Sequence, residues 1–192
     1  MKKNFLVLAL AVILGFSATA TEPKDGEKRE VKTDESTVTW KAYKVTGSHA
    51  GKVNLQEGSL LFDDGKLIGG EFVVDMTSLV TTDDLGDRKA KLEGHLKSDD
   101  FFGVAIHKTS KLIFTSVASS GKNSYEVSGD LTIKGITKAV IFDVSVYGSK
   151  ATATMKIDRA QYDVRYGSGS FFDDLGDKTI YDEFDLVVDL VF

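Results

Sequence analysis

From Ser36 onward the chain alternates apolar and polar residues with a period of two, and this constrains the fold more than any other property. Such alternation marks β-strands with one buried face. Val38, Trp40 and Ala42 alternate with Thr37, Thr39 and Lys41. A turn is predicted at Gly47-Ser48-His49-Ala50-Gly51, followed by Val53, Leu55 and the run Leu60-Leu61-Phe62. That run ends at Asp63-Asp64-Gly65, a strong hairpin signal. The next strand carries Leu67, Phe72, Val74 and Met76, and another is predicted over 111–117. Later strands alternate more cleanly. Tyr125, Val127, Gly129, Leu131 and Ile133 face one way, as do Val140, Phe142, Val144 and Val146, then Ala151, Ala153, Met155 and Ile157. Phe184, Leu186, Val188, Leu190 and Phe192 complete roughly eight strands.

Eight such strands can form a sandwich or a barrel. Short turns between consecutive strands favour an up-and-down meander, and closure removes edges that several of these strands do little to protect. The expected fold is therefore all-β, an eight-stranded antiparallel up-and-down barrel. Eighteen glycines and a single proline, Pro23, fit many tight turns and uninterrupted strands. One stretch breaks the period. Residues 87–97 are helix-forming with Leu92 and Leu96 one turn apart, and Asp83 and Asp84 stand ready as caps, so a short helix over one barrel mouth is expected. Residues 162–182, rich in glycine, aspartate and aromatics, are long for a loop, and long loops in compact domains usually serve function.

The start of the chain reads as a targeting segment. Lys2 and Lys3 precede an apolar run over 5–16 and the small-residue pattern Ala18-Thr19-Ala20, so cleavage is expected before Thr21. An uncleaved anchor is the alternative, although the run is short for a membrane span. The expected organisation is a signal peptide at 1–20, a flexible leader at 21–35, where charged residues surround Pro23, and a barrel at 36–192. Cleavage leaves 22 basic against 29 acidic residues, a net charge near −7, which argues against nucleic acid as a partner. Export to the periplasm or outside the cell permits disulfides, but the chain has no cysteine, so the core and the strand ladder must supply its stability.

Three ordered segments carry a family resemblance: Leu92-Glu93-Gly94-His95-Leu96-Lys97-Ser98-Asp99-Asp100-Phe101-Phe102, then Gly129-Asp130-Leu131-Thr132-Ile133-Lys134-Gly135-Ile136-Thr137-Lys138-Ala139-Val140, then Ile157-Asp158-Arg159. From about Val38 to Phe192 the chain resembles the YceI-like family of exported proteins. The resemblance implies a lipocalin-like barrel whose lumen binds a polyisoprenoid or an isoprenoid quinone. Two positions depart from the family pattern: His107 stands where a proline is frequent, and Ser36-Thr37 replaces a first-strand histidine-serine pair.

A prenyl chain needs only a long dry tube, each isoprene unit contributing on the order of 3 to 4 kcal/mol of gross transfer energy. Ordering the chain consumes much of this. Candidate lumen residues on the strands are Trp40, Phe72, Val74, Met76, Phe114 and Tyr125, with Leu131, Ile133 and Phe142. At the mouth, Leu92, Leu96, Phe101 and His95 are candidates, the histidine as donor to a headgroup or as a helix-packing residue. The alternative is a core filled by these same side chains, in a structural or protein-interaction barrel.

No enzyme chemistry is legible. The three histidines, His49, His95 and His107, are isolated and lack zinc-site spacing, and no Gly-x-Ser-x-Gly occurs. His49 is expected to be an exposed turn residue and His107 a surface residue. Asp83-Asp84-Leu85-Gly86-Asp87 recurs as Asp173-Asp174-Leu175-Gly176-Asp177. Hard cations such as calcium favour clustered carboxylates, but the spacing is not that of an EF-hand, and coincident acidic capping turns are the preferred reading. Asp158 and Arg159 suggest a structural ion pair at a strand end. No cofactor or metal is expected. The expected partner is an isoprenoid lipid, with no membrane span in the mature chain and a homodimer left open.

Overall fold

The computed structural model describes residues 26–192, so the expected signal peptide lies outside the described residues. In chain order the elements are β1 (Glu27–Glu30), β2 (Thr37–Lys44), β3 (Gly47–Asp63), β4 (Lys66–Thr81), α1 (Arg88–Lys97), β5 (Thr109–Gly121), β6 (Ser124–Ile133), β7 (Ile136–Tyr147), β8 (Lys150–Asp158) and β9 (Ile180–Val191). Strands β2 to β9 form one antiparallel ring in the order β3-β2-β9-β8-β7-β6-β5-β4, and β4 pairs back onto β3. The expected eight-stranded antiparallel barrel with one helix is thus the observed architecture. No helix among the described residues is long and apolar enough to cross a membrane.

Alternation determines facing, as expected. On β6, Tyr125, Val127, Gly129, Leu131 and Ile133 are all buried while Glu126 and Asp130 are exposed. The two longest strands, β3 and β4, would be too straight to follow the wall. Their mutual register shifts at three places, and each irregularity bends the pair. Asp64 and Gly65, at φ 49° and 73°, make the tight turn of the hairpin expected from Asp-Gly.

Because successive strands reverse direction, the connections alternate between two ends. The hairpin end carries the tight β3–β4, β5–β6 and β7–β8 turns. The other end, the mouth, carries the β2–β3 and β6–β7 turns, the insertion containing α1, and the long connection from β8 to β9.

Two expectations need correction. Residues 47–51 are not a turn: they belong to β3, with Ser48, His49 and Ala50 opposite Tyr43, Ala42 and Lys41. Gly51 serves close approach instead. A Cβ there would lie 2.0 Å from the Val80 carbonyl oxygen and 2.4 Å from Trp40 Cζ2, so glycine lets the indole lie flat against the wall.

Second, the leader is partly ordered. Residues Glu27–Glu30 pair with Phe62–Ser59 on the stretch of β3 that β2 does not reach, making a ninth, short strand. The Val31 N–H donates to the Gly58 carbonyl, and Ser36 Oγ donates to the Lys32 carbonyl while accepting from the Val191 N–H. Arg29 lies 4.5 Å above the Phe62 ring. Backbone pairing of this kind is blind to side-chain hydrophobicity, which is why a charged segment concealed it.

Candidate functional site

A cavity of about 490 Å³ occupies the mouth half of the barrel, within the usual range for small-molecule sites. Its wall comes from β2 (Val38, Trp40, Ala42), β3 (Val53), β4 (Val74, Met76, Leu79), β6 (Leu131, Ile133) and β9 (Phe184, Leu186). Leu92, His95 and Leu96 of α1, with Phe101 and Phe102 after it, roof the cavity. Along β2 the lining runs from Val38 to Lys44, six residue steps, or roughly 15 Å of depth after allowing for strand tilt.

The candidate residues divide by depth. Trp40, Val74, Met76, Leu131 and Ile133 border the cavity, and so do Leu92, His95, Leu96 and Phe101 at the mouth. Phe72, Phe114, Tyr125 and Phe142 do not border it. They pack nearer the hairpin end, where the Phe114 ring centroid is 5.6 Å from Phe72 and 5.7 Å from Phe142. Phe72 and Phe114 stand on the paired strands β4 and β5, and only β6 separates Phe114 from Phe142, so the three rings pack side by side along one wall beyond the cavity.

The helix positions its side chains without a cap at the expected residues. Asp87 occupies the N-cap position and its side chain makes no cap bond. Asp83, expected as a cap, instead lies 2.6 Å from His49 Nδ1 and accepts from the Ala50 N–H, tying the start of the insertion to β3. His49 is accordingly a half-buried cavity-lining residue rather than an exposed turn residue. Burial pushes the Asp83 carboxyl up, but its contacts with His49, the Ala50 N–H and Thr81 outweigh this and hold it below its ordinary value. His107, expected at the surface, is half-buried beside Gly103 and Gly135. His95 stacks edge-on to Tyr166 at 4.4 Å and to Phe101 at 5.5 Å.

The residue least anticipated is Arg159. Its side chain is only 4% exposed, and its partner is Asp182 at 3.3 Å, not the neighbouring Asp158. Asp158 turns to its own following backbone, accepting from the Ala160 N–H. Arg159 Nε donates to the Tyr181 carbonyl, Nη1 to those of Val164 and Tyr166, and Nη2 to that of Ile180. One guanidinium thereby closes the two ends of the long 159–182 segment onto each other and sets Tyr166 and Tyr181 at the cavity edge. Burial pushes its pKa down against the charges of Asp182 and Asp158, although an arginine stays protonated throughout the accessible range. An adjacent Asp-Arg pair at a strand end hinted at an ion pair; the true partner is remote in sequence and carried no local signal.

The repeated pentapeptides share their glycine turn but differ at the second aspartate, where Asp174 has φ 57° and Asp84 does not adopt a positive φ. Gly86 and Gly176 sit at φ 52° and 51°. In each, the leucine carbonyl accepts from the N–H three residues on (Arg88 and Lys178), starting α1 and a short 3-10 turn. Leu85 borders the cavity. Among the described residues no three carboxylate or histidine groups are placed to hold a metal ion.

The family model of the YceI-like domain matches residues 30–192. A UPF0312 protein of Pseudomonas putida is 32% identical over 152 residues, which span 77% of this chain and 74% of that protein. The crystal structure of Burkholderia cenocepacia BcnA superposes with a TM-score of 0.68 at 24% identity, covering 84% of this chain and 99% of that one. A polyisoprenoid binding domain from Saccharophagus degradans, implicated in plant cell wall breakdown, superposes with a TM-score of 0.59 at 15% identity, covering 84% and 97%. The last two likenesses are of fold.

Proposed function

The chain belongs to the YceI-like domain family, and from that premise we propose that its barrel binds an isoprenoid lipid in the lumen and performs no chemistry on it. The observation that carries this reading is the apolar cavity of about 490 Å³ roofed by α1. Such a chamber takes up a branched hydrocarbon by desolvation alone. The similarity to a polyisoprenoid binding domain adds support from the fold. The cavity lining spans roughly 15 Å of depth, so a chain longer than that must fold back or protrude. The three histidines stand apart, one pairing with Asp83, one stacking on aromatics and one beside two glycines.

We further propose that the protein acts in the periplasm or outside the cell after removal of residues 1–20. The basic start, apolar run and Ala18-Thr19-Ala20 pattern support this. The experiment is purification from a bacterial periplasmic fraction, intact-mass analysis, and organic extraction with mass spectrometry of the extract. A mature chain starting at Thr21 with a near-stoichiometric isoprenoid is expected. A lipid-free protein that takes up no added isoprenoid would sink the binding reading.

A further inference from the structure

The exposed aromatic side chains are not spread evenly over the barrel. Among the described residues they are Tyr147, Tyr166, Phe171, Phe172 and Tyr181. Tyr147 stands by the β7–β8 turn at the hairpin end, and the other four lie at the mouth, on the connection from β8 to β9 or at the start of β9. Two exposed aliphatic residues join them at that end: Val45 in the β2–β3 turn and Ile106 in the insertion that carries α1. The Val45 N–H donates to the Thr179 carbonyl, so this turn stands against the same connection.

Phe171 and Phe172, 40% and 50% exposed, sit on an anchored turn. Both of their N–H groups donate to the carbonyl of Ser168, a fully buried residue, and Arg159 fixes the preceding stretch through the carbonyls of Val164 and Tyr166. The Arg165 guanidinium lies 5.0 Å above the Phe171 ring. Tyr166, the next residue, borders the cavity and stacks on His95 of α1 at 4.4 Å. Aromatic surface therefore continues from the cavity rim onto the outside of the molecule. A rigid exposed patch of this kind marks an interaction surface.

The position of the patch and its charge select the partner. An isoprenoid is drawn from a bilayer, and one that crosses water to reach the lumen loses its apolar burial at one step only to regain it at the next. A rim seated in the bilayer surface spares it that crossing. Residues 82–108 and 159–182, which build most of the rim, carry eleven acidic against eight basic side chains, and Asp173 and Asp174 follow the phenylalanine pair directly. An anionic surface finds no basic excess there, so the attraction has to come from apolar insertion.

Resting on the lipid-binding reading, we propose that the mouth docks on a zwitterionic bilayer surface by inserting Phe171 and Phe172, so that the lumen exchanges its ligand with the membrane directly.

The test is flotation of the purified protein with phosphatidylcholine vesicles. The patch offers less apolar surface than a myristoyl chain, whose association constant is about 10⁴ M⁻¹, so half-binding is expected at about 1 mM lipid. The double variant Phe171→Ser, Phe172→Ser should raise that concentration about tenfold or more, whereas Tyr147→Ser, which removes a more exposed ring from the opposite end, should change it less than about twofold. Replacing one-third of the lipid by phosphatidylglycerol should not strengthen binding. Absence of flotation, a double variant that floats like the parent, or binding that needs the anionic lipid would each overturn the proposal. A dimer that the double variant dissolves, seen by sedimentation in a parent that does not float, would assign the patch to a second copy and overturn it too. Farnesol added from ethanol and followed by the fluorescence of Trp40, the only tryptophan and a cavity-lining residue, separates docking from ligand binding. Phe171 and Phe172 lie outside the cavity lining, so the double variant should take up farnesol as the parent does. A parent that takes up farnesol but does not float refutes the docking alone, and a parent that takes up none removes the lipid-binding reading on which the docking rests.

Discussion

Arg159→Met tests how the mouth is held in shape. The guanidinium makes four hydrogen bonds to backbone carbonyls and an ion pair with Asp182, at 2.9 to 3.3 Å, from a side chain 4% exposed. Charge-assisted bonds contribute roughly 1.5–3 kcal/mol each when taken singly, which summed over the four would be about 6–12 kcal/mol, comparable to the whole stability of an ordinary domain. The sum is not additive, because a loop released at one point lets its carbonyls rehydrate at the others. Breaking a buried charged network by removing one partner typically costs about 3–5 kcal/mol, so a loss of about 4 kcal/mol is expected. Asp182 keeps its bond from Ser170 Oγ and stays part-exposed, which places the figure inside that range and not above it. With a urea slope of about 2 kcal/mol per molar, the unfolding midpoint should fall by about 2 M. Arg159→Lys offers three donors against five acceptors and should recover about half of the loss. Urea titration followed by circular dichroism and Trp40 fluorescence reads both variants. An Arg159→Met midpoint within 0.5 M of the parent, roughly 1 kcal/mol at that slope, would refute the claim that this side chain holds the segment.

Three other substitutions probe separate parts of the structure. Leu131 borders the cavity two residues from the mouth end of β6, so Leu131→Arg should block the chamber while its head reaches the mouth, costing about 1–2 kcal/mol and abolishing lipid co-purification; a folded variant with undiminished lipid would contradict this placement. Gly51→Ala forces a Cβ onto the Val80 carbonyl and the Trp40 ring, and should cost about 2–3 kcal/mol and move the tryptophan emission to the red; an unchanged melting temperature and spectrum would show that the close approach is not needed. Asp83 has a folded pKa below its unfolded value, so its contribution is fully present above about pH 4 and is lost as pH falls through the lower, folded value. The difference in melting temperature between the parent and Asp83→Asn should therefore be largest at pH 6–7 and shrink below about pH 4, whereas a constant difference from pH 7 to pH 3 would count against the argument.

The sequence by itself determined the class of fold and the facing of nearly every strand. Period-two alternation is a property of each strand separately, so Val127, Val144 and Ile157 were legible as inward residues without knowledge of their neighbours. Asp64-Gly65 was legible as a turn because the required backbone angles are local. Tertiary structure alone decided which inward residues border a void. Phe114 and Leu131 alternate in the same way, yet one packs against Phe72 and Phe142 along the wall and the other borders the cavity, because that depends on which side chains from neighbouring strands stand beside each at the same depth. Ser110, Phe184 and Leu186 were missed as lining residues for the same reason. The ordering of Glu27–Glu30, the strand role of Gly51 and the clasp of Arg159 were also beyond reach. Each rests on a partner distant in sequence: the free stretch of β3, the Trp40 ring, and the carbonyls of Tyr181 and Ile180. Hydrophobic pattern records how much a residue prefers burial, and it contains no term for which distant backbone group will stand beside it once the barrel has closed.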